Sequence, residues 1–282
     1  MALSPRICKC SERITQNKPG RAVSPALFHL KAMKKQAWIV GLLAALAVML
    51  AAVGSLCGAV YSEAINPALY GEKSRAAVAQ AYGMHDDDAV TAYIGMDAAR
   101  QNEAAKIIAL YMELGGEDTP LAVDELNEKE LSHMNDVRRL IALCKTVRTA
   151  CISLAAGLAV AVAWVGAGLK KRHRPVIVGA VCGVCALALG AGVFGAMMQS
   201  GGFETMFVGM HRMLFINDNW LLNPATDILI RMMPQNLFET ALADVLGQFA
   251  RALVLSILLL AAAYAVVSGM VKRQLTQTEE RP

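Results

Sequence analysis

Two histidines, His133 and His211, carry the side chains best suited to moving a proton at neutral pH in this sequence. An imidazole titrates near 6.5, so it takes up and returns a proton without help from a cofactor. Asp136 follows His133 by three residues, which puts a carboxylate on the same helical face, and Val137 and Leu140 extend that face with apolar surface. His211 shares a face with Phe207 and Phe215, and Asp218 stands a turn or two further on. A carboxylate beside an imidazole fixes which ring nitrogen carries the proton. Asp136 is the candidate for that role at His133, and Asp218 or Asp227 at His211. Taken alone, either histidine is explained more simply by a local hydrogen bond or by contact with water. His85 precedes three aspartates, Asp86 to Asp88, in an expected exposed turn, His29 and His173 lie in cytoplasmic basic surroundings, and all three read as solvated.

Other chemistries find less support. No phosphate-binding glycine loop of the nucleotide-binding types occurs, so nucleotide is not expected, and a net charge of +4 is too small and scattered to argue for nucleic acid. The seven cysteines are Cys8, Cys10, Cys57, Cys144, Cys151, Cys182 and Cys185, and none sits in the middle of a polar loop, so no disulfide framework is implied. Cys182 and Cys185 have redox or zinc spacing but lie in an apolar run where a thiolate is disfavoured, and packing is the simpler reading. No pair of histidines stands four apart on one helix, as metal sites commonly require, so neither metal nor cofactor is expected.

The elements that position these residues follow from hydropathy. The chain of 282 residues is 56% hydrophobic, gathered into four long runs. A hydrocarbon core of about 30 Å needs about 20 helical residues to cross it, and only a helix or a closed barrel satisfies the backbone there. Alternating strands are absent, so the expected fold is an all-α integral membrane protein with four transmembrane helices, at 37–61, 149–169, 176–198 and 249–271. Lys31, Lys34 and Lys35, then Lys170, Lys171, Arg172 and Arg174, then Lys272 and Arg273 flank these runs on one side. The positive-inside rule makes that side cytoplasmic, with both termini inside. Arg138, Arg139, Lys145 and Arg148 on the other side belong to a long acidic segment, which the rule weighs weakly.

The remaining pieces are a cytoplasmic tail at 1–36, a cytoplasmic turn at 170–175, a tail at 272–282, and two extracytoplasmic segments at 62–148 and 199–248. In the first segment, 74–82 and 96–112 read as helices, the latter closed by Gly115 and Gly116. A third helix begins near Asn127, with Glu130 reaching back in capping-box spacing, and runs on into the second span. The segment 199–248, broken by Asn217, Asn219, Pro224 and Pro234, suits short helices lying in the membrane interface. The tail has no periodic pattern, and Met33-Lys34-Lys35 before an apolar run has the form of a natural start, which makes the upstream residues dispensable on this reading. The first run is longer than a secretory leader's apolar region and lacks a small-x-small cleavage site, which favours a retained anchor.

Two blocks of the sequence resemble the signatures of the lipoprotein intramolecular transacylase family. The first runs from Glu130 to Leu140 and contains His133-Met134, Asp136-Val137-Arg138 and Leu140; the second runs from Phe207 to Pro234 and sets His211, Phe215, Asp218, Trp220, Leu221, Pro224 and Asp227 in order. Tyr111 with Gly115 upstream also fits. The resemblance extends from the first span to the fourth and leaves out the tail. It implies a bacterial enzyme of the cytoplasmic membrane, with its active site on the extracytoplasmic face. It also implies that diacylglyceryl-modified lipoproteins are the partners, held in membrane lipid, and that the sn-2 acyl chain moves to the α-amino group of the N-terminal cysteine to give a lyso-form lipoprotein. The family's two essential histidines fall on His133 and His211.

On that reading the substrate brings its own nucleophile. One histidine takes the amine proton while the other gives a proton to the departing glycerol oxygen. Phe207, Phe215 and Trp220 wall the site against water, and Tyr111 belongs to the same substrate-facing group. Arg138, Arg139, Arg212 or backbone amides supply the oxyanion donor. Ser132, beside His133, raises an acyl-enzyme alternative, although neighbouring helical side chains point about 100° apart. A metal-dependent membrane hydrolase built on His133, Asp136, His211 and Asp218 is the second reading, and a non-catalytic assembly or transport subunit the third.

Overall fold

The computed structural model describes residues 25–116, 119–166 and 173–279, with the side chains of 25–34, 194, 197–201, 275 and 279 outside that description. Met1 to Ser24, with Cys8 and Cys10, therefore lie outside it, as do Glu117, Asp118, Lys170, Lys171 and Arg172, and the side chains of His29, Lys31 and Lys34.

Every regular element among the described residues is helical. They run α1 (Pro25–Ala64), α2 (Pro67–Tyr70), α3 (Glu72–Tyr82), α4 (Asp87–Ile94), α5 (Ala98–Leu114), α6 (Glu128–Gly166), α7 (His173–Leu214), α8 (Ile228–Met232) and α9 (Gln235–Glu279). Four of these are long and apolar enough to cross a membrane, in stretches at Lys35–Ala64, Glu128–Gly166, His173–Val193 and Gln235–Thr278. The first helix packs against α6, α7 and α9, and α6 also packs on α9. Outward-facing Leu42, Trp164, Leu189 and Leu258 leave the bundle an apolar exterior suited to lipid.

With 39 residues, α6 is about 58 Å long, nearly twice the hydrocarbon thickness. Its second half, 149–166, carries no charge, whereas Arg138, Arg139, Lys145 and Arg148 punctuate the first half. His133 therefore belongs to the charged half of this helix and not to its uncharged half. At that end of the bundle α2 to α5, α8 and the first turns of α6 and α9 share one core, centred on Val78, Ile94, Ile108, Met232 and Leu237. Ser74 and Gln101 are buried in it and satisfied: Ser74 donates to Met232 O at 2.6 Å, and Gln101 donates to Tyr70 O at 3.0 Å and to Ser74 Oγ at 2.9 Å.

Local signals explain most helix ends. The Asn127 side chain accepts from the amides of Lys129 and Glu130, and the Glu130 carboxylate accepts from Asn127 N at 2.8 Å, which is the capping box read from the sequence. Three expectations change. Residues 86–88 open a helix instead of forming an exposed turn, because the Asp86 side chain accepts from Ala89 N and caps α4. The first helix starts at Pro25, inside the stretch read as patternless. The segment 199–248 is only partly built of short helices: residues 203–214 form one beyond a kink at Gly202 and α8 is five residues long, but α9 begins at once after Pro234 and runs on as a long helix. Gly202 holds φ +70° and ψ 168°, a non-helical conformation open to glycine, so two helical stretches meet there at a kink.

Candidate active site

Beyond the Gly202 kink, the last turns of α7 swing Phe203, Phe207 and His211 toward the start of α6. His133 and His211, 78 residues apart in sequence, meet with ring centroids 6.1 Å apart. Both side chains are largely buried, at 8% exposure each. Phe215 lies edge-on to His133 at 5.1 Å and beside His211 at 5.4 Å, Phe207 lies 4.0 Å from His211, and Trp220 lies 5.2 Å from His211. Phe238 of α9 closes on Phe207 at 4.8 Å. The two imidazoles, Phe207, Trp220 and Phe238 border a partly open cavity of about 420 Å³, which Glu204, Leu222, Leu229 and Met233 also line, and Phe215 backs the histidine pair. The wall is largely apolar, and the Glu204 carboxylate, the Tyr82 hydroxyl and the Gln235 amide join the two imidazoles as its polar groups.

The tautomer of His211 is set by the backbone. Its Nδ1 lies 2.8 Å from Phe207 O, a carbonyl that accepts only, so Nδ1 carries the proton and Nε2 keeps its lone pair. Burial holds the His211 imidazole below its ordinary value, against the partial opposition of that carbonyl bond. Burial and the neighbouring His211 ring push His133 down to about 4, with Asp136 acting in the other direction. Both rings are thus neutral at physiological pH. The buried Nδ1 of His133 has no hydrogen-bond partner among the described residues.

The carboxylates expected to orient the histidines do other work. Asp136 accepts from Asn217 Nδ2 at 2.8 Å. Asp218 is exposed and forms its local bond through its carbonyl, to Leu221 N. Asp227 is buried and accepts from Asn223 N, Thr226 Oγ1 and Asn127 Nδ2 at 2.7 to 3.0 Å, and the Asn223 amide above all holds its carboxyl below the usual range. Asp227 is therefore a clamp between the loop 215–227 and the start of α6. Arg138 and Tyr111 do not line the cavity. Arg138 is buried, donates to Gly115 O and Asn135 Oδ1 at 2.7 and 2.9 Å, and lies over the Tyr111 ring, so this pair fastens α5 to α6. Arg139 and Arg212 are exposed.

A ladder of bonds that sequence reasoning missed sets the histidine pair. Glu130, at 1% exposure, accepts from Leu229 N at 2.6 Å. Ser132 Oγ accepts from Asn219 Nδ2 at 2.9 Å, and Lys129 donates to Leu221 O. With Asn127 to Asp227 and Asp136 to Asn217, five contacts join the start of α6 to residues 217–229. The spacing of Asn127, Lys129, Glu130, Ser132 and Asp136 over three turns was the available signal, but their partners lie about a hundred residues away.

The sequence model of the family Lipoprotein intramolecular transacylase Lit matches residues 76–238, more than half of the chain and the whole of this site. The chain belongs to the Lit family. Its fold is shared by solved structures of the membrane integral lipoprotein intramolecular transacylase Lit from Bacillus cereus. One is 17% identical, covers 86% of this chain and 99% of that chain, and superposes with a TM-score of 0.55. A second, carrying a histidine-to-arginine mutation, is 17% identical with 89% and 99% covered and a TM-score of 0.53. A third, carrying a histidine-to-alanine mutation, is 18% identical with 88% and 99% covered and a TM-score of 0.51. No curated protein matches the chain by sequence. As a Lit member the chain is a membrane protein of lipoprotein processing. Among the described residues no three His, Cys, Asp or Glu side chains gather as a metal would need, so the hydrolase reading finds no ligand set here.

Proposed function

We propose that this Lit protein moves the sn-2 acyl chain of a diacylglyceryl lipoprotein to the α-amino group of its N-terminal cysteine, by acid–base catalysis at His211 and His133. The observation that carries the proposal is the 6.1 Å pairing of two buried imidazoles in an aromatic cavity. The substrate amine attacks the ester carbonyl, a C–N bond forms, the C–O bond to glycerol breaks, and the amine proton ends on the glycerol oxygen. No water enters and no cofactor is needed.

His211 is the proton carrier. With Nδ1 tied to Phe207 O, its Nε2 takes the amine proton and returns it to the leaving oxygen. His133, kept neutral, acts as an N–H donor to the carbonyl oxygen as charge develops there, in place of the arginines. Amine and ester belong to one molecule, so holding them in contact lowers the barrier by several kcal/mol in well-oriented systems, about 7–11 at the upper end. Phe207, Phe215 and Trp220 keep out the water that would hydrolyse the ester.

The site faces the extracytoplasmic side of the bacterial cytoplasmic membrane, with both termini inside. Lys35, Arg174, Lys272 and Arg273 gather at the opposite end of the bundle from the histidines, which supports this orientation. That end is joined by Gln36 donating to Val165 O at 2.8 Å. The lyso-lipoprotein product stays in the same leaflet.

Mass spectrometry of lipoprotein N-terminal peptides from cells with and without this chain tests the reaction. The lyso form is expected only when the chain is present, and diacylated N-termini in both strains would overturn the proposal. In a purified assay kcat/KM has two acid limbs. One belongs to the substrate amine near 7.7–8.0, and one to the enzyme below 6.5, since burial favours the neutral base. An enzyme limb above 6.5 would exclude His211 as the carrier.

A further inference from the structure

The histidine cavity does not end at its aromatic wall. A second depression of about 410 Å³ adjoins it, formed where the end of α3 meets the start of α9. Tyr82, Pro234 and Gln235 line both spaces, so the two meet along that ridge. Their chemistry differs. Apart from its imidazoles and Glu204, the first is bounded mainly by phenyl, indole and aliphatic groups, whereas Gln80, Gln235, Asn236 and Glu239 make amides and a carboxylate the majority of the second.

The polar groups are arranged, not scattered. Gln235 Nε2 donates to Glu239 Oε1 at 2.7 Å, which presents the rest of the carboxylate to the groove. At the floor, Asn236 Nδ2 donates to Ala77 O at 2.9 Å, which ties α9 to α3, and its buried Oδ1 has no partner among the described residues. Gln80 and Glu239 are exposed on opposite walls. An acyl chain gains nothing from such a surface. A peptide backbone, with a donor and an acceptor at every residue, does.

We propose that this groove holds the first residues of the peptide that follows the lipid-bearing cysteine; the inference rests on the transacylase reading. The substrate has two chemical characters joined at one cysteine, and the protein offers two contiguous spaces of matching character. With the acyl ester and amine between the imidazoles, the polypeptide leaves the aromatic cavity past Tyr82 and lies between Gln80 and Glu239. Contacts there are remote from the reacting atoms, and their binding energy orients the amine against the ester. Such energy shows in kcat as well as KM.

The test uses the full-length purified protein and two substrates: an S-diacylglyceryl cysteine amide with no further residue, and the same lipid on a peptide of several residues. The peptide substrate is expected to have a kcat/KM about tenfold higher, with kcat itself raised. In Gln80→Ala/Glu239→Ala the ratio between the two substrates falls toward one. Glu239→Gln, which keeps an acceptor, restores most of it when paired with native Gln80. Equal efficiency on both substrates in the wild type, or an unchanged ratio in the double variant, overturns the groove and leaves the transacylase reading intact. Turnover of neither substrate overturns both.

Discussion

The two ends of this molecule are held by different forces. At the histidine end, the loop 215–227 and the start of α6 are joined by charged and amide side chains on backbone groups, with Glu130 to Leu229 N at 2.6 Å and Asp227 as a clamp. At the other end, α1 and α7 touch through glycines: a Cβ on Gly179 would overlap the Gly41 carbonyl, and Gly183 sits against Val48. Small residues let backbones approach inside a bilayer, where lipid gives no hydrophobic drive to associate. Hydrogen bonds have direction and fix distances, whereas close glycine packing fixes only proximity. The comparison teaches that the bundle brings α7 near α6, and the ladder of bonds then fixes where His211 stands relative to His133.

The largest effect belongs to the pair itself. His211→Ala and His133→Ala are each expected to lower the transacylation rate by about 10²–10⁴-fold while leaving the helical fold in place. The measurement is single-turnover formation of lyso-lipoprotein by mass spectrometry. Loss at His211 with full activity at His133→Ala would break the pairing and leave a one-histidine site.

Next comes the ladder against the glycine contact. Glu130→Ala removes a buried carboxylate from two backbone amides, of Leu229 and Asn127, and is expected to destabilise by about 3 kcal/mol. Because those amides position the loop, turnover per folded molecule falls as well. Gly179→Val forces a side chain onto the Gly41 backbone and is expected to cost about 1–3 kcal/mol. Here turnover per folded molecule is retained. Thermal unfolding in detergent, with activity normalised to folded protein, separates the two. An equal fall in normalised turnover for both variants would show that the two ends are not distinct.

What could be read from the sequence follows the same division. The capping box at Asn127, the helix-ending Gly115, the four apolar runs and the aromatic spacing around His211 depend on neighbours within a few turns. Periodicity and caps report such relations directly. The partners of Asp136, Ser132 and Glu130 lie 81, 87 and 99 residues away, and nothing in the local pattern encodes them. Asp136 and Asp218 were expected to orient the histidines because helical spacing places them nearby. In the fold, Asn217 takes Asp136, and the Phe207 carbonyl, four residues earlier on the same helix, fixes the His211 tautomer.

Ser132 gives the smallest effect and the sharpest distinction. An acyl-enzyme route needs its hydroxyl to lose a proton to His133, but its Oγ already accepts from Asn219 Nδ2 at 2.9 Å and is exposed on the loop side of α6. Its position is that of a rung in the ladder. Ser132→Ala should therefore cost about 1 kcal/mol of stability, as one neutral hydrogen bond does, and lower turnover only as far as the loop loosens. Asn219→Ala removes the same bond from the other partner and should match it in both respects. A nucleophile would behave otherwise: Ser132→Ala would fall to the level of His133→Ala while Asn219→Ala stayed active, and a wild-type protein caught in single turnover would carry one acyl chain on residue 132. Equal, mild losses in the two variants place Ser132 with the bonds that hold the site and leave the amine of the substrate as the attacking group.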